Sequence, residues 1–92
     1  MTTMQTAAEL TTRSSIRSYI LNNFLFSDDP SMLDDAASFR EERLIDSMGM
    51  VELIHFLEEN YKISVLDEDM VPEKLDSVDR LVNFVETKQG KA

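Results

Sequence analysis

From Thr12 the apolar positions Ile16, Tyr19, Ile20 and Phe24, with Asn23 beside the last, recur at helical spacing. This first helix is expected to end near Ser27, where Ser27-Asp28-Asp29-Pro30-Ser31 supplies turn chemistry and the proline resists continuation. Positions 27–46 then form a long connection. Connections of this length are uncommon in compact domains unless they are functional or carry a short element. Leu33, Phe39, Leu44 and Ile45 are expected to pin it to the core.

A second helix is predicted from Asp46/Ser47 to about Asn60. Stepping about 100° per residue puts Met50, Leu53, Ile54, Leu57 and Tyr61 on one side, with Val51 at its border. Met48, Glu52, His55 and Glu59 fall on the opposite side, flanked by Gly49 and Phe56. One stripe is therefore buried and the other faces solvent. Gly49 weakens the first turn by about 1 kcal/mol relative to alanine, which points to tolerance near a terminus or to a close approach there.

In the segment Tyr61 to Ser77, Pro72 and the polar clusters predict short, irregular structure with one or two helical turns around Asp67 to Lys74. Ser77 suits the N-cap of a last helix. Its inward stripe is Val78, Leu81, Val82 and Val85, with Phe84 alongside and Gly90 beyond its end. No alternating strand pattern is found. The fold class predicted is all-α: a small bundle of three main helices plus one short helix, with a long loop between the first and second. Residues 1–11 are expected to be a flexible tail and 12–88 the domain.

Ninety-two residues suit one domain. No apolar run reaches the length of a membrane span, and the amino terminus lacks the basic start and apolar stretch of a secretory signal. The absence of cysteine fits a reducing compartment; the expectation is a cytoplasmic monomer. A formal charge of −9 disfavours nucleic acid and anionic membranes, because both recruit Lys and Arg. Basic protein partners are compatible with it, as is simple solubility.

Ser47 opens an amphipathic helix, where unpaired backbone N–H groups and the helix dipole favour a negative group. Serine is also a common N-cap, and spacing alone favours that plainer role. Catalysis by a Ser47–His55 pair fails on geometry: His55, the single histidine, lies about 12 Å along the same helix, beyond hydrogen-bond reach. A calcium loop counted from Asp67 puts Val71 and Pro72 at its fifth and sixth positions, where an oxygen ligand and a glycine are required. No metal site is predicted.

The run Ile45-Asp46-Ser47-Met48, followed by Val51-Glu52-Leu53 and Leu57-Glu58-Glu59, resembles the attachment motif of the acyl carrier protein family. The resemblance extends to the upstream helix, to Leu33-Asp34-Asp35-Ala36-Ala37-Ser38-Phe39 in the long loop, and to the segment from Asp67 to Val85. It covers nearly all of Thr12 to Lys88.

That resemblance implies the carrier-protein helix bundle and no catalytic residue. It implies that a phosphopantetheinyl transferase moves 4′-phosphopantetheine from coenzyme A onto Ser47. The arm's thiol would then hold acyl or aminoacyl groups as thioesters. Asp46 matches the acidic residue before the modified serine. Met48 matches the apolar residue after it, at the partner-docking surface. Glu52, Glu58 and Glu59 match acidic positions that meet basic partner enzymes, and the surface position of His55 makes it a further contact. Loading ligases or transferases and downstream biosynthetic enzymes are the implied partners. Gly49 stands where many fatty-acid carriers have an acidic residue, and His55 where an apolar one is common. The paired glycines of peptidyl carriers are missing. These departures direct the expectation to a specialised fatty acyl, polyketide or related pathway. An unmodified acidic adaptor is the alternative.

Overall fold

The first helix, α1 (Ala7–Ile20), begins five residues before the expected Thr12 in a computed structural model that describes residues 7–90. Ala7 and Ala8 explain the extension: alanine is the best helix former yet adds little to an apolar stripe. The tail expected over 1–11 is thus helical from Ala7, and its first six positions lie outside the described residues. After Ile20 the chain widens into a π-helical turn (Leu21–Leu25). It stops at Phe26, whose left-handed backbone (φ 50°) turns its N–H back to the Leu21 carbonyl.

The long loop carries a 3₁₀ turn (Pro30–Met32) capped by Asp29, whose side chain accepts from the Ser31 N–H. Two arginines of α1 hold the loop down. Arg13 pairs with Asp35 at 2.8 Å and Asp79 at 2.6 Å. Arg17 pairs with Asp35 and donates to the Leu33 and Pro30 carbonyls. From the other side, Asp76 accepts from the Ser38 hydroxyl and the Arg40 N–H, while its carbonyl accepts from the Phe39 N–H at 2.9 Å. Leu33, Phe39 and Ile45 are buried and Leu44 packs against them, so the loop is pinned as its apolar positions predict.

Helix α2 (Ser47–Tyr61) follows, then a 3₁₀ turn (Asp67–Asp69), α3 (Pro72–Leu75) and α4 (Val78–Lys88). Ser77 caps α4 by accepting from the Arg80 N–H. Helix α4 packs on α1 and α3. Its Val78, Leu81, Val82, Phe84 and Val85 join Leu53 and Leu57 of α2 and Ile16 and Ile20 of α1 in a single core. The described residues form an all-α bundle of three long helices and one short one, with no strand.

Two positions of α2 sit differently from the angular reading. Gly49 and Phe56 were expected to flank the solvent stripe. Gly49 is buried, because Phe24 from the π-helical turn reaches over it. Phe56 is half-buried, stacked on Tyr19 with ring centroids 4.1 Å apart.

Candidate functional site

The start of α2 divides two tasks between adjacent residues. Asp46 has extended backbone (φ −90°, ψ −175°), and its carboxylate accepts from the Gly49 N–H at 2.8 Å. It is the N-cap. Ser47 is therefore the first helical residue and not the cap. Its side chain is exposed and has no hydrogen-bond partner among the described residues. The helix geometry leaves the Ser47 and Met48 amides without intrahelical acceptors. An exposed hydroxyl thus stands at the positive end of a fifteen-residue helix dipole.

Ser47 borders a cleft of about 670 Å³. Phe39, Ile45 and Leu75 supply buried lining, and Met50, Met70, Val71 and Pro72 continue it. Charged residues complete the wall: Arg40, Arg43, Asp46 and Asp76. The end of the long loop, the first turn of α2 and the segment through α3 bring these groups together from positions 39–50 and 70–76. Periodicity carried no signal for Arg40, Arg43 or Met70 at this site, since none lies on a helix stripe.

Arg43 has a left-handed backbone (φ 55°), which costs a non-glycine residue about 1 kcal/mol. It closes a turn in which the Arg43 N–H donates to the Arg40 carbonyl and the Leu44 N–H to the Phe39 carbonyl at 2.8 Å. That turn lets Phe39 and Ile45 both point into the molecule just before Ser47.

Along α2, Met48 (77% exposed), Glu52, His55 and Glu59 share one solvent face, as the angular reading expects. Val51, expected at the border of the buried stripe, is 50% exposed and joins that face. Glu58 does not. It is partly buried, and its carboxylate accepts from the Val65 N–H at 2.9 Å, tying down the chain beyond α2. Among the described residues no helix is long and apolar enough to cross a membrane.

No family model matches the chain. Curated relatives do. An acyl carrier protein of Akkermansia muciniphila is 39% identical over 75 residues, covering 82% of this chain and 89% of that protein. One from Bdellovibrio bacteriovorus is 38% identical over 64 residues, covering 70% of this chain and 78% of its own length. One from Chlamydia felis is 33% identical over 63 residues, with 68% and 78% covered. The match to the first leaves too few residues over at either end to miss the α2 amino terminus, and the helical bundle agrees with it. On that likeness, sustained across most of both sequences, the chain belongs to the acyl carrier protein family.

Proposed function

We propose that the chain is an acyl carrier whose Ser47 bears a 4′-phosphopantetheine arm taken from coenzyme A. The observation that carries this reading is the division of labour at the α2 amino terminus. Asp46 satisfies the cap, so the Ser47 hydroxyl is exposed and uncommitted beside an apolar cleft. The site fits such a group chemically. Ser47 Oγ, giving up its proton, would bond the pantetheine-bearing phosphorus of coenzyme A as the pyrophosphate P–O bond breaks and adenosine 3′,5′-bisphosphate leaves, and the negative diester would face unpaired helix N–H groups. When bound, the arm supplies a thiol that carries acyl groups as thioesters. The residues of the chain itself do the holding: Asp46 sets the direction of the helix start, and Phe39, Ile45, Met50 and Leu75 offer an apolar wall.

Partners fall into three classes on this reading: a phosphopantetheinyl transferase, a loading ligase or transferase, and the enzymes that use the cargo. Met48, Val51, Glu52, His55 and Glu59 form one continuous face for them, with two exposed apolar side chains beside carboxylates. That composition suits a basic partner surface with an apolar centre. The departures at Gly49 and His55 support a specialised pathway.

Intact mass is the test. Incubation with coenzyme A and a broad-specificity transferase is expected to add one phosphopantetheine, and Ser47→Ala, with an unchanged circular dichroism spectrum, to abolish it. A chain that stays at its unmodified mass is an acidic helical adaptor instead.

A further inference from the structure

The chain has nine Lys and Arg residues against eighteen Asp and Glu. Its cations are therefore quickly claimed. Arg13, Arg17, Lys74 and Lys88 are all in ion pairs, and the Arg80 guanidinium donates to the Pro72 carbonyl. Among the described residues the side chains of Arg40, Arg43 and Lys62 have no acidic or carbonyl partner, and of these three Arg40 and Arg43 line the cleft beside Ser47. In a protein of net charge −9, two uncommitted cations in one wall are not an average of the surface.

The fold sorts charge within the run Arg40-Glu41-Glu42-Arg43. Both arginines face the Ser47 cleft. Glu41 and Glu42 line a neighbouring depression with Asp34 and Ser38; Arg40 borders both hollows, and Arg43 the Ser47 cleft alone. The left-handed backbone of Arg43 closes the turn that produces this sorting. The acidic residues of the cleft are already engaged: Asp46 accepts from the Gly49 N–H, and Asp76 from the Ser38 hydroxyl and the Arg40 N–H. The wall beside Ser47 thus sets two unpaired guanidiniums beside two carboxylates that are held in place by the Gly49 amide, the Ser38 hydroxyl and the Arg40 amide.

We infer that Arg40 and Arg43 hold the phosphodiester esterified to Ser47, an inference that rests on the proposed modification of that serine. The guanidinium fork matches phosphate oxygens in geometry as well as charge. The rest of the surface, strongly negative, repels a diester. Held this way, the arm leaves Ser47 along the cleft toward Met70 and Leu75, not straight into solvent. A basic partner then competes with the two arginines for the same phosphate, so docking and release of the arm are coupled.

The test uses the full chain, ¹⁵N-labelled, in apo and holo forms, as wild type and as the Arg40→Gln/Arg43→Gln double variant. Intact mass first shows that both carry the arm. In the wild type, modification is expected to move the Arg40 and Arg43 Nε–H resonances and the amides of Val71 and Leu75. The double variant is expected to lose most of the Val71 and Leu75 shifts and to show a displaced ³¹P resonance. Added salt should shrink the wild-type shifts toward those of the variant. Identical holo-induced shifts in both proteins overturn the inference. So does movement of the arginine resonances only after loading with succinyl-phosphopantetheine from succinyl-coenzyme A, which assigns them to an anionic cargo. A wild-type chain that gains no mass removes the modification itself, and the inference with it.

Discussion

The ring of Phe24 stands where a side chain on Gly49 would begin: a Cβ at Gly49 would lie 2.7 Å from Phe24 Cε1. Phe24 cannot step aside cheaply. It meets Tyr19 edge-on at 5.8 Å, and Tyr19 is itself stacked on Phe56. The aromatic chain links the π-helical turn to the first turn of α2, beside Ser47.

Gly49→Ala tests that contact. Alanine gains at most about 1 kcal/mol of helix propensity, whereas overpacking costs about 1–3 kcal/mol. A net loss of about 1 kcal/mol is expected, read as a fall of about 4–8 °C in Tm. In a Phe24→Leu background the loss should shrink, because the obstructing ring edge is gone. An equal loss in both backgrounds would show that Phe24 is not the obstacle.

Asp46→Ala removes the cap from α2 and is expected to cost about 1 kcal/mol in denaturant unfolding. Asp46→Asn keeps an acceptor for the Gly49 N–H and should recover most of it. If Asn and Ala are equally destabilised, the hydrogen bond to Gly49 is not what stabilises the helix start.

Asp69 fixes acid behaviour. Its buried carboxylate accepts from the Leu66 N–H and pairs with Lys74 at 2.7 Å and Lys88 at 2.8 Å. Hydrogen bonds from Lys74, then Lys88 and the Leu66 amide, hold it far below the usual carboxylate range. A depressed folded pKa stabilises fully above the unfolded value of about 3.9 and is lost as pH falls toward the folded one. Asp69→Asn should thus be less stable than wild type at neutral pH, and the gap should close as pH drops below about 4. A thermal-melt gap that stays constant down to about pH 2 would contradict the assignment.

Glu52 and Glu59 are expected to separate by role from Glu58. Glu52→Lys with Glu59→Lys, both exposed, should change stability by less than about 0.5 kcal/mol. The same pair should slow association with a loading enzyme in a salt-dependent manner. Glu58→Ala instead strands the Val65 N–H and should lower stability by about 1 kcal/mol. Stopped-flow association and urea unfolding read the two effects. If Glu58→Ala slows association and leaves unfolding unchanged, its carboxylate serves the partner and not Val65.

Much of the bundle is legible in the sequence, because helices advertise themselves locally. The 3.6-residue stripes of α2 and α4, the Ser77 cap and the four apolar pins of the long loop each lie within a few neighbouring positions. The solvent face of Met48, Glu52, His55 and Glu59 followed from the same angular arithmetic. The arithmetic erred at Gly49 and Phe56, whose surroundings are set by Phe24 and Tyr19 from other elements.

Local pattern alone, then, was enough for the helices, for their inward stripes and for a serine at the head of α2. It did not reach the assignment of the cap to Asp46 over Ser47, the π-helical widening that aims Phe24, or the meeting of Arg40 and Arg43 with Met70 and Leu75 around one cleft. Periodicity reports how a segment relates to its own axis. The cap turns on the backbone angles of a single residue, and the cleft on groups up to three dozen positions apart that meet only when the core closes.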